Sequence, residues 1–223
     1  MTTDNLIGRT GKCFYFTCNS LVHNERMLNV GCGNAWLENY LSKEKKDVKY
    51  FACELDENLL LNENECSEAN VYYTAASALD LPYKDGSFEI VTCFDVIEHI
   101  PKNTEYRMLY EIRRVLKPGG TLLLSTPRQG ILNNFTDFAW YFGHRHYSLK
   151  RLHFLMNNAG FSDFNVELQG GKYELFETWA LYFYKYLFHK KIPNGIHKLF
   201  KKKIVSEKVK NYSISFFVKV QKL

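Results

Sequence analysis

Short apolar runs alternate with longer amphipathic stretches along the first half of the chain. The apolar runs at 27–31 (MLNVG), 49–55 (KYFACEL), 71–77 (VYYTAAS) and 87–95 (SFEIVTCFD) have the length and composition of buried strands. Leucines recur at helical spacing in the stretches between them, as at 34–46 (NAWLENYLSKEKK). This alternation predicts an α/β fold, in which a doubly wound sheet is covered by helices on both faces.

The second half of the chain continues the pattern and then departs from it. Amphipathic helices are predicted at 103–116 and 149–159, the first ending at a K-P-G-G turn and the second capped by Ser and ended by Gly. Strands are predicted at 121–126, 164–169 and 212–223. The region between the last two strands is instead rich in aromatic residues and lysines.

The length and the cysteine usage of the chain predict a single domain that spans residues 1–223 and lies in a reducing compartment. A chain of 223 residues suits a single core. Its six cysteines form no C-x-x-C pair, and several lie in or beside apolar runs, as core cysteines do. The first twelve residues carry no apolar signal core, and no apolar stretch reaches the roughly 18 residues of a membrane span. We therefore expect a cytoplasmic protein.

The net charge of +5 comes from one segment. Residues 188–210 contain eight lysines and one glutamate, a local charge of +7, so the 21 remaining basic and 23 remaining acidic side chains sum to −2. No common DNA- or RNA-reading motif accompanies this patch. We therefore expect no DNA partner and do not favour an RNA partner.

The glycine turn after the first strand indicates a nucleoside pocket. LNVGCG at 28–33 leads into a helix, and Glu54 closes the second strand, where an acid can accept hydrogen bonds from ribose hydroxyls. A dinucleotide site would need a third glycine where this chain has Trp36. No G-x-x-x-x-G-K-[ST] sequence is present either, which argues against a nucleoside triphosphate.

Downstream segments repeat the order of motifs in a known family. ASALDLP at 76–82, SFEIVTCFDVIEHI at 87–100, EIRRVLKPGGTLLLSTP at 111–127 and HRHYSLKRLHFLMNNAGF at 144–161 follow the glycine turn and Glu54. The chain thereby resembles the class I S-adenosylmethionine-dependent methyltransferases over about residues 25–170, in particular the small-molecule group with D-V-x-E-H after strand four. The resemblance implies a Rossmann-like sheet of seven strands, mostly parallel, with an antiparallel C-terminal strand.

The resemblance also implies S-adenosyl-L-methionine as the cofactor and S-adenosyl-L-homocysteine as the product. Glu54 would bind the ribose, Leu55 would pack on the adenine, and Ser77 stands where relatives often carry an acid that binds the adenine amine. The residues expected to bind the cofactor are Gly31, Cys32, Gly33, Glu54, Leu55, Ser77, Ala78, Phe94 and Asp95.

Histidines supply the candidate chemistry. A sulfonium methyl group is already electrophilic, so in-line attack by an acceptor oxygen needs mainly positioning and a base, and His99, His144 and His146 are the candidates. Some relatives hold a divalent metal with similar side chains. A metal bound by Asp95, Glu98, His99 and His144 is therefore an alternative, but we favour a site without metal.

Two segments are expected to shape the acceptor pocket as lid insertions, 128–147 and 172–210. The aromatic stretch within 172–203 could be a buried helix, a subunit interface, a lid or a surface that contacts lipid headgroups. We expect O-methylation of a small molecule, a sugar or a lipid or quinone precursor. An RNA 2′-O-methyltransferase and a non-catalytic protein that binds S-adenosylmethionine are the alternatives, and the sequence indicates no oligomeric state.

Overall fold

The computed structural model describes residues 6–61, 70–130, 133–134, 137, 140, 143–189, 193–206 and 213–223. Helices and strands alternate along the first half of the chain, as the pattern predicts. The helices are α1 (Gly8–Cys18), α2 (Trp36–Glu44), α3 (Glu57–Leu61), α4 (Glu105–Val115), α5 (Leu149–Asn158), α6 (Lys172–Leu187) and α7 (Asn194–Ser206). The strands are β1 (Arg26–Val30), β2 (Lys49–Glu54), β3 (Val71–Ala75), β4 (Phe88–Phe94), β5 (Leu116–Pro127), β6 (Phe161–Gln169) and β7 (Ser215–Lys222).

All seven strands form one sheet in the order β3-β2-β1-β4-β5-β7-β6. The first five strands pair in parallel, whereas β7 lies antiparallel between β5 and β6. The predicted doubly wound, mostly parallel sheet with an antiparallel C-terminal strand is confirmed. The strand order reverses between β1 and β4, and the crevice at the carboxyl ends of these strands is where open α/β sheets bind ligands.

The sheet is held by side chains that the strands and helices bury together. Leu28, Val91 and Leu122 on three neighbouring strands are fully buried, and Met108 and Ile112 of α4 pack against them in one cluster. At about 25 cal/mol per Å² of buried apolar surface, such residues dominate the stability of the sheet. The loops at the carboxyl edge are thereby fixed relative to one another.

Two elements differ from the sequence predictions. The pattern predicts no helix near the N-terminus, yet α1 forms there, because burial of Cys13 and Phe14 outweighs the low helix propensity of its two glycines. The K-P-G-G sequence does end α4, but it lies inside β5, whose pairing shifts from Phe88–Leu116 to Ile90–Thr121. The strand therefore begins at once after the helix and bulges.

The later elements agree with the predicted ones to within a few residues. Ser148 caps α5 by accepting a hydrogen bond of 3.2 Å from the Arg151 amide, as expected. Much of the predicted insertion at 128–147 lies outside the described residues. Among the described helices, none is both long enough and apolar enough to cross a lipid bilayer.

Candidate active site

The glycine turn between β1 and α2 brings bare backbone to the crevice. Gly31 has φ +75°, and a Cβ at this position would lie 2.3 Å from Cγ2 of Val96, so only glycine fits there. Gly33 has φ +56°. The turn is tied to β2 because the amides of Gly31 and Cys32 both donate to the Cys53 carbonyl, at 2.8 and 3.1 Å.

Glu54 at the end of β2 faces this turn. Its Oε2 accepts a hydrogen bond of 2.9 Å from the Gly33 amide, and its Oε1 accepts one of 2.7 Å from the Leu55 amide. Oε1 also accepts a longer hydrogen bond of 3.3 Å from the Asp56 amide. Oε2 can still accept a second hydrogen bond, so the acid is oriented while part of its acceptor capacity is left for a ligand. The next side chain, Leu55, is 72% exposed, which leaves an apolar surface beside the acid.

These residues open onto a cavity of about 310 Å³, a volume at the lower end of small-ligand pockets. On its far wall, the Ser77 hydroxyl accepts a hydrogen bond of 3.1 Å from the Leu79 amide, which fixes the tight turn that the Ser77–Asp80 bridge closes. The cavity is lined by Gly31, Glu54, Leu55, Ala76, Ser77, Ala78, Leu79, Asp95, Val96, His99, Ile100 and Pro101.

Asp95 lies between this cavity and a second one of about 160 Å³. It has φ +58°, an uncommon conformation for a residue other than glycine. Its carboxylate accepts a hydrogen bond of 2.7 Å from the Ser125 hydroxyl and forms an ion pair with Arg9 of α1. Burial lowers the pKa of the Arg9 guanidinium, but the charges of Asp95 and Glu98 outweigh it, and the net pKa is raised. Gly31, Cys32 and Phe94 also line the second cavity.

The side chains of residues 144–147 (HRHY) have two different roles. Arg145 donates to the Ile97 and Ile100 carbonyls at 2.7 and 2.6 Å, and the Tyr147 hydroxyl donates to the Ile97 carbonyl at 3.0 Å. These two residues therefore brace the turn after β4. His144 and His146 instead line a third cavity, of about 120 Å³.

Asp137 holds both of these histidines. Its Oδ2 lies 2.7 Å from Nδ1 of His144 and 2.8 Å from Nε2 of His146. Nδ1 of His146 lies 2.7 Å from Oδ1 of Asn134, so both ring nitrogens of His146 have partners. The third cavity is also lined by Arg9, Pro127, Asn133, Leu175, Thr178, Ile214 and Ser215.

His99, which also lines the first cavity, and Glu98 lie beside the histidine pair. The ring of His99 lies 4.6 Å from that of His144, centroid to centroid, and burial followed by the nearby His144 lowers the pKa of His99. Glu98 is buried, and its Oε2 accepts a hydrogen bond of 2.9 Å from the Thr126 hydroxyl. Burial, reinforced by the charge of Asp95, raises the pKa of Glu98 to about 8.

Comparison with known proteins shows which family this part of the chain resembles. Residues 28–124 match the family described as "Methyltransferase domain". Residues 28–124 therefore carry a methyltransferase domain, which is similar to those of class I S-adenosylmethionine-dependent enzymes. Over 104 residues the chain is 38% identical to a ubiquinone biosynthesis O-methyltransferase of Xanthomonas oryzae pv. oryzae (strain PXO99A). The aligned residues cover 45% of this chain and 42% of that relative. The chain therefore matches less than half the length of this curated relative.

Solved structures agree with the fold of this methyltransferase domain. Phosphoethanolamine N-methyltransferase 2 of Haemonchus contortus, solved with phosphomonomethylethanolamine and S-adenosylhomocysteine, superposes with a TM-score of 0.69 and 20% identity over 94% of this chain and 51% of that chain. The [4+2]-cyclase SpnF superposes with a TM-score of 0.71 and 18% identity over 96% and 81% of the two chains. Since one of these neighbours is a cyclase, the fold alone does not fix the reaction.

The fold gathers the residues predicted from sequence at one edge of the sheet. The predicted cofactor residues surround the first two cavities, apart from Gly33, whose contact is the hydrogen bond to Glu54. Their role in binding stays a prediction. Sequence analysis missed Arg9 and Asp137. Arg9 lies in a helix that the pattern did not predict, and Asp137 lies in a segment without a readable motif.

Two overlapping groups near the histidines have the composition of a metal site. The candidate ligand atoms of Glu98, His99 and His144 lie within 4.8 Å of one another, and so do those of Asp137, His144 and His146. Oε1 of Glu98 is buried and has no hydrogen-bond partner in the described part of the chain, as a ligand oxygen would require. The protonated carboxyl that its raised pKa favours binds no cation, however, so the residues fit a metal only if binding expels that proton.

Proposed function

We propose that this protein transfers the methyl group of S-adenosyl-L-methionine to a hydroxyl oxygen of a small molecule. The observation that carries the proposal is the adjacency of the cavities. The first two meet at Gly31 and Asp95, and Arg9 lines both the second cavity and the one that contains His144 and His146. A nucleoside pocket thus opens towards a cluster of bases within one crevice.

The linings of the first two cavities support one orientation of the cofactor. Glu54 would accept hydrogen bonds from both ribose hydroxyls, in the charge-assisted manner that favours bidentate contacts. The exposed face of Leu55 would cover the adenine, whose edge would contact Ser77 and Ala78. The amino-acid end would then lie in the second cavity, where the Arg9 guanidinium could exchange part of its contact with Asp95 for the cofactor carboxylate.

His144 is the best candidate for the base. A carboxylate only accepts hydrogen bonds, so the proton between Asp137 and His144 lies on Nδ1, which leaves the lone pair of the neutral ring on Nε2. Both ring nitrogens of His146 already have hydrogen-bond partners, so His146 is better suited to positioning its neighbours than to acting as the base. The acceptor oxygen would lose its proton to His144 while it attacks the methyl group in line, and S-adenosylhomocysteine would leave as a neutral thioether.

A small acceptor suits the third cavity better than RNA does. The 120 Å³ space is confined between the histidines, Leu175 and Thr178 of α6, and Ile214. The similar curated relative acts in ubiquinone biosynthesis, which favours a hydroxylated ring as the acceptor class. The RNA 2′-O-methyltransferase and the non-catalytic binding protein remain the alternatives.

A binding titration and an acceptor screen test the proposal separately. We expect S-adenosylmethionine and S-adenosylhomocysteine to bind in calorimetry, and S-adenosylhomocysteine release to depend on a hydroxylated aromatic, a sugar or a quinone precursor. Binding without release across the screen would favour the non-catalytic alternative. The screen is repeated with EDTA. Turnover unchanged by the chelator supports the site without metal, whereas loss restored by added Mg²⁺ or Mn²⁺ would indicate an ion at one of the two groups that share His144.

A further inference from the structure

The outer face of α6 carries an exposed stripe of aromatic side chains. Phe176, Trp179 and Phe183 recur at helical spacing, and Phe188 follows directly after the helix. Phe176, Trp179 and Phe188 are 55%, 43% and 50% exposed. The rings of Trp179 and Phe183 stack at 5.2 Å, and those of Phe183 and Phe188 lie 5.7 Å apart, so the aromatic stripe is continuous from Trp179 to Phe188.

The remaining surface of α6 is already used by the protein. Leu175 and Thr178 line the third cavity, and the buried carboxylate of Glu174 accepts a hydrogen bond of 3.0 Å from the Arg9 amide. The helix is therefore anchored on its inner face. Its aromatic stripe is left as an apolar surface that the described part of the chain does not bury, and such surfaces mark interaction sites.

Lysines stand beside the aromatic stripe. The ammonium groups of Lys172 and Lys203 each lie 5.0 Å from the ring centroid of Tyr173, on the turn of α6 that precedes Phe176. Lys202 of α7 is exposed, and α7 (NGIHKLFKKKIVS) contains no acidic residue. The stripe is thus bordered by positive charge, and Lys202 and Lys203 belong to the segment 188–210 that accounts for the basicity of the whole chain.

We propose that α6 and α7 bind the surface of a lipid bilayer that contains anionic lipids. Aromatic side chains, tryptophan above all, partition into the interface between headgroups and acyl chains, and lysines beside them are attracted to a negative surface potential. A partner protein would have to present an apolar surface or an oppositely charged one. A bilayer with anionic lipids presents both an apolar layer and negative charge. The proposal does not depend on methyl transfer.

Co-sedimentation with vesicles tests this proposal on the full chain, without cofactor. We expect binding to vesicles of phosphatidylcholine with one quarter phosphatidylglycerol and much weaker binding to phosphatidylcholine alone. Trp179→Ser combined with Phe176→Ser should weaken binding at least tenfold, because the partitioning of two large apolar side chains is lost. Lys202→Gln should weaken it by about fivefold, the share of one lysine near a charged surface.

Matched variants on another helix separate the surface from general effects. Phe154 of α5 is 51% exposed and Lys150 of the same helix is exposed, so Phe154→Ser and Lys150→Gln should leave vesicle binding unchanged. No binding to either vesicle would overturn the proposal. A dimer in light scattering that Trp179→Ser dissociates would also overturn it, since a second copy would then cover the stripe. Salt-sensitive RNA binding in place of vesicle binding would overturn it as well.

Discussion

The half of the crevice proposed to bind the cofactor and the half proposed to bind the acceptor are built by different means; they are called the cofactor half and the acceptor half below. On the cofactor side, short loops after β1 and β2 position Gly31 and Glu54, and the decisive contacts involve backbone amides. On the acceptor side, Arg9, Leu175 and the pair Asp137 and His144 come from three separate segments and meet through side chains. The first half can therefore be fixed by local sequence, whereas the second depends on how distant segments pack.

This difference explains what can be changed independently. Loops between parallel strands set the cofactor pocket, so its geometry belongs to the sheet and survives changes in the acceptor side. The acceptor side rests on α1, α6 and the segment before α5, which lie outside the residues that match the methyltransferase family. We expect variants in the two halves to separate cofactor binding from turnover.

The largest expected effect is on turnover. Replacing His144 and His146 with alanine removes the proposed base and its neighbour, and should lower kcat by about 10² to 10⁴ once an acceptor is known. The affinity for S-adenosylmethionine, measured by calorimetry, should change less than threefold, an estimate of about 0.6 kcal/mol. His23→Ala, at an exposed histidine that pairs with Asp47, is the control. Equal loss of cofactor affinity would mean that the two halves are not separable.

A second variant probes the glycine turn. Gly31→Ala should lower the free energy of unfolding by about 2–4 kcal/mol, because the new methyl group overlaps Val96 and the backbone keeps a positive φ. Gly33→Ala has a similar φ but no atom within 4 Å of the new Cβ, so it should cost only about 1 kcal/mol. Urea denaturation measures both. Equal losses would show that close approach to Val96 does not constrain the turn.

The third variant tests the ribose acid. Glu54→Gln removes the charge that strengthens hydrogen bonds to two hydroxyls, and should weaken S-adenosylmethionine binding by about 10- to 100-fold. Turnover at saturating cofactor should be little changed, because Glu54 lies in the other half of the crevice. Glu57→Gln, at an exposed acid of α3, is the matched control. A fall in kcat with unchanged affinity would contradict the proposed role of Glu54.

The residues that line the first two cavities could be predicted from sequence because their signals are local, and their role in binding the cofactor stays a prediction. A positive φ at Gly31 and an acid at a strand end are requirements that a short stretch of sequence records directly. The histidines were found as residue types, but their arrangement was not. Asp137 is seven residues from His144 in sequence, yet its importance appears only when both rings converge on one of its oxygens. Arg9 illustrates the same limit, since tertiary packing creates its helix.

The smallest expected effect is a change in how stability depends on pH, and it arises between the two halves. Glu98 has a folded-state pKa of about 8 against an ordinary value of 4.5, so the folded protein holds a proton that the unfolded chain releases over this range. Its contribution to stability is therefore present below pH 4.5 and is lost as the pH rises towards 8. Glu98→Gln cannot titrate, so it should gain about 1–2 kcal/mol relative to the parent between pH 5 and 8 in urea unfolding.

Glu111→Gln supplies a control of opposite sign. Its hydrogen bond with Arg114 lowers the pKa of the Glu111 carboxyl, so the stability from this acid is present above pH 4.5 and is lost at lower pH. The variant should therefore lose stability relative to the parent as the pH rises from 3 to 6. If Glu98→Gln followed the same direction, Glu98 would be ionised and paired in the folded state. That outcome would favour a cation beside His99 and His144 and would join the two halves through a metal.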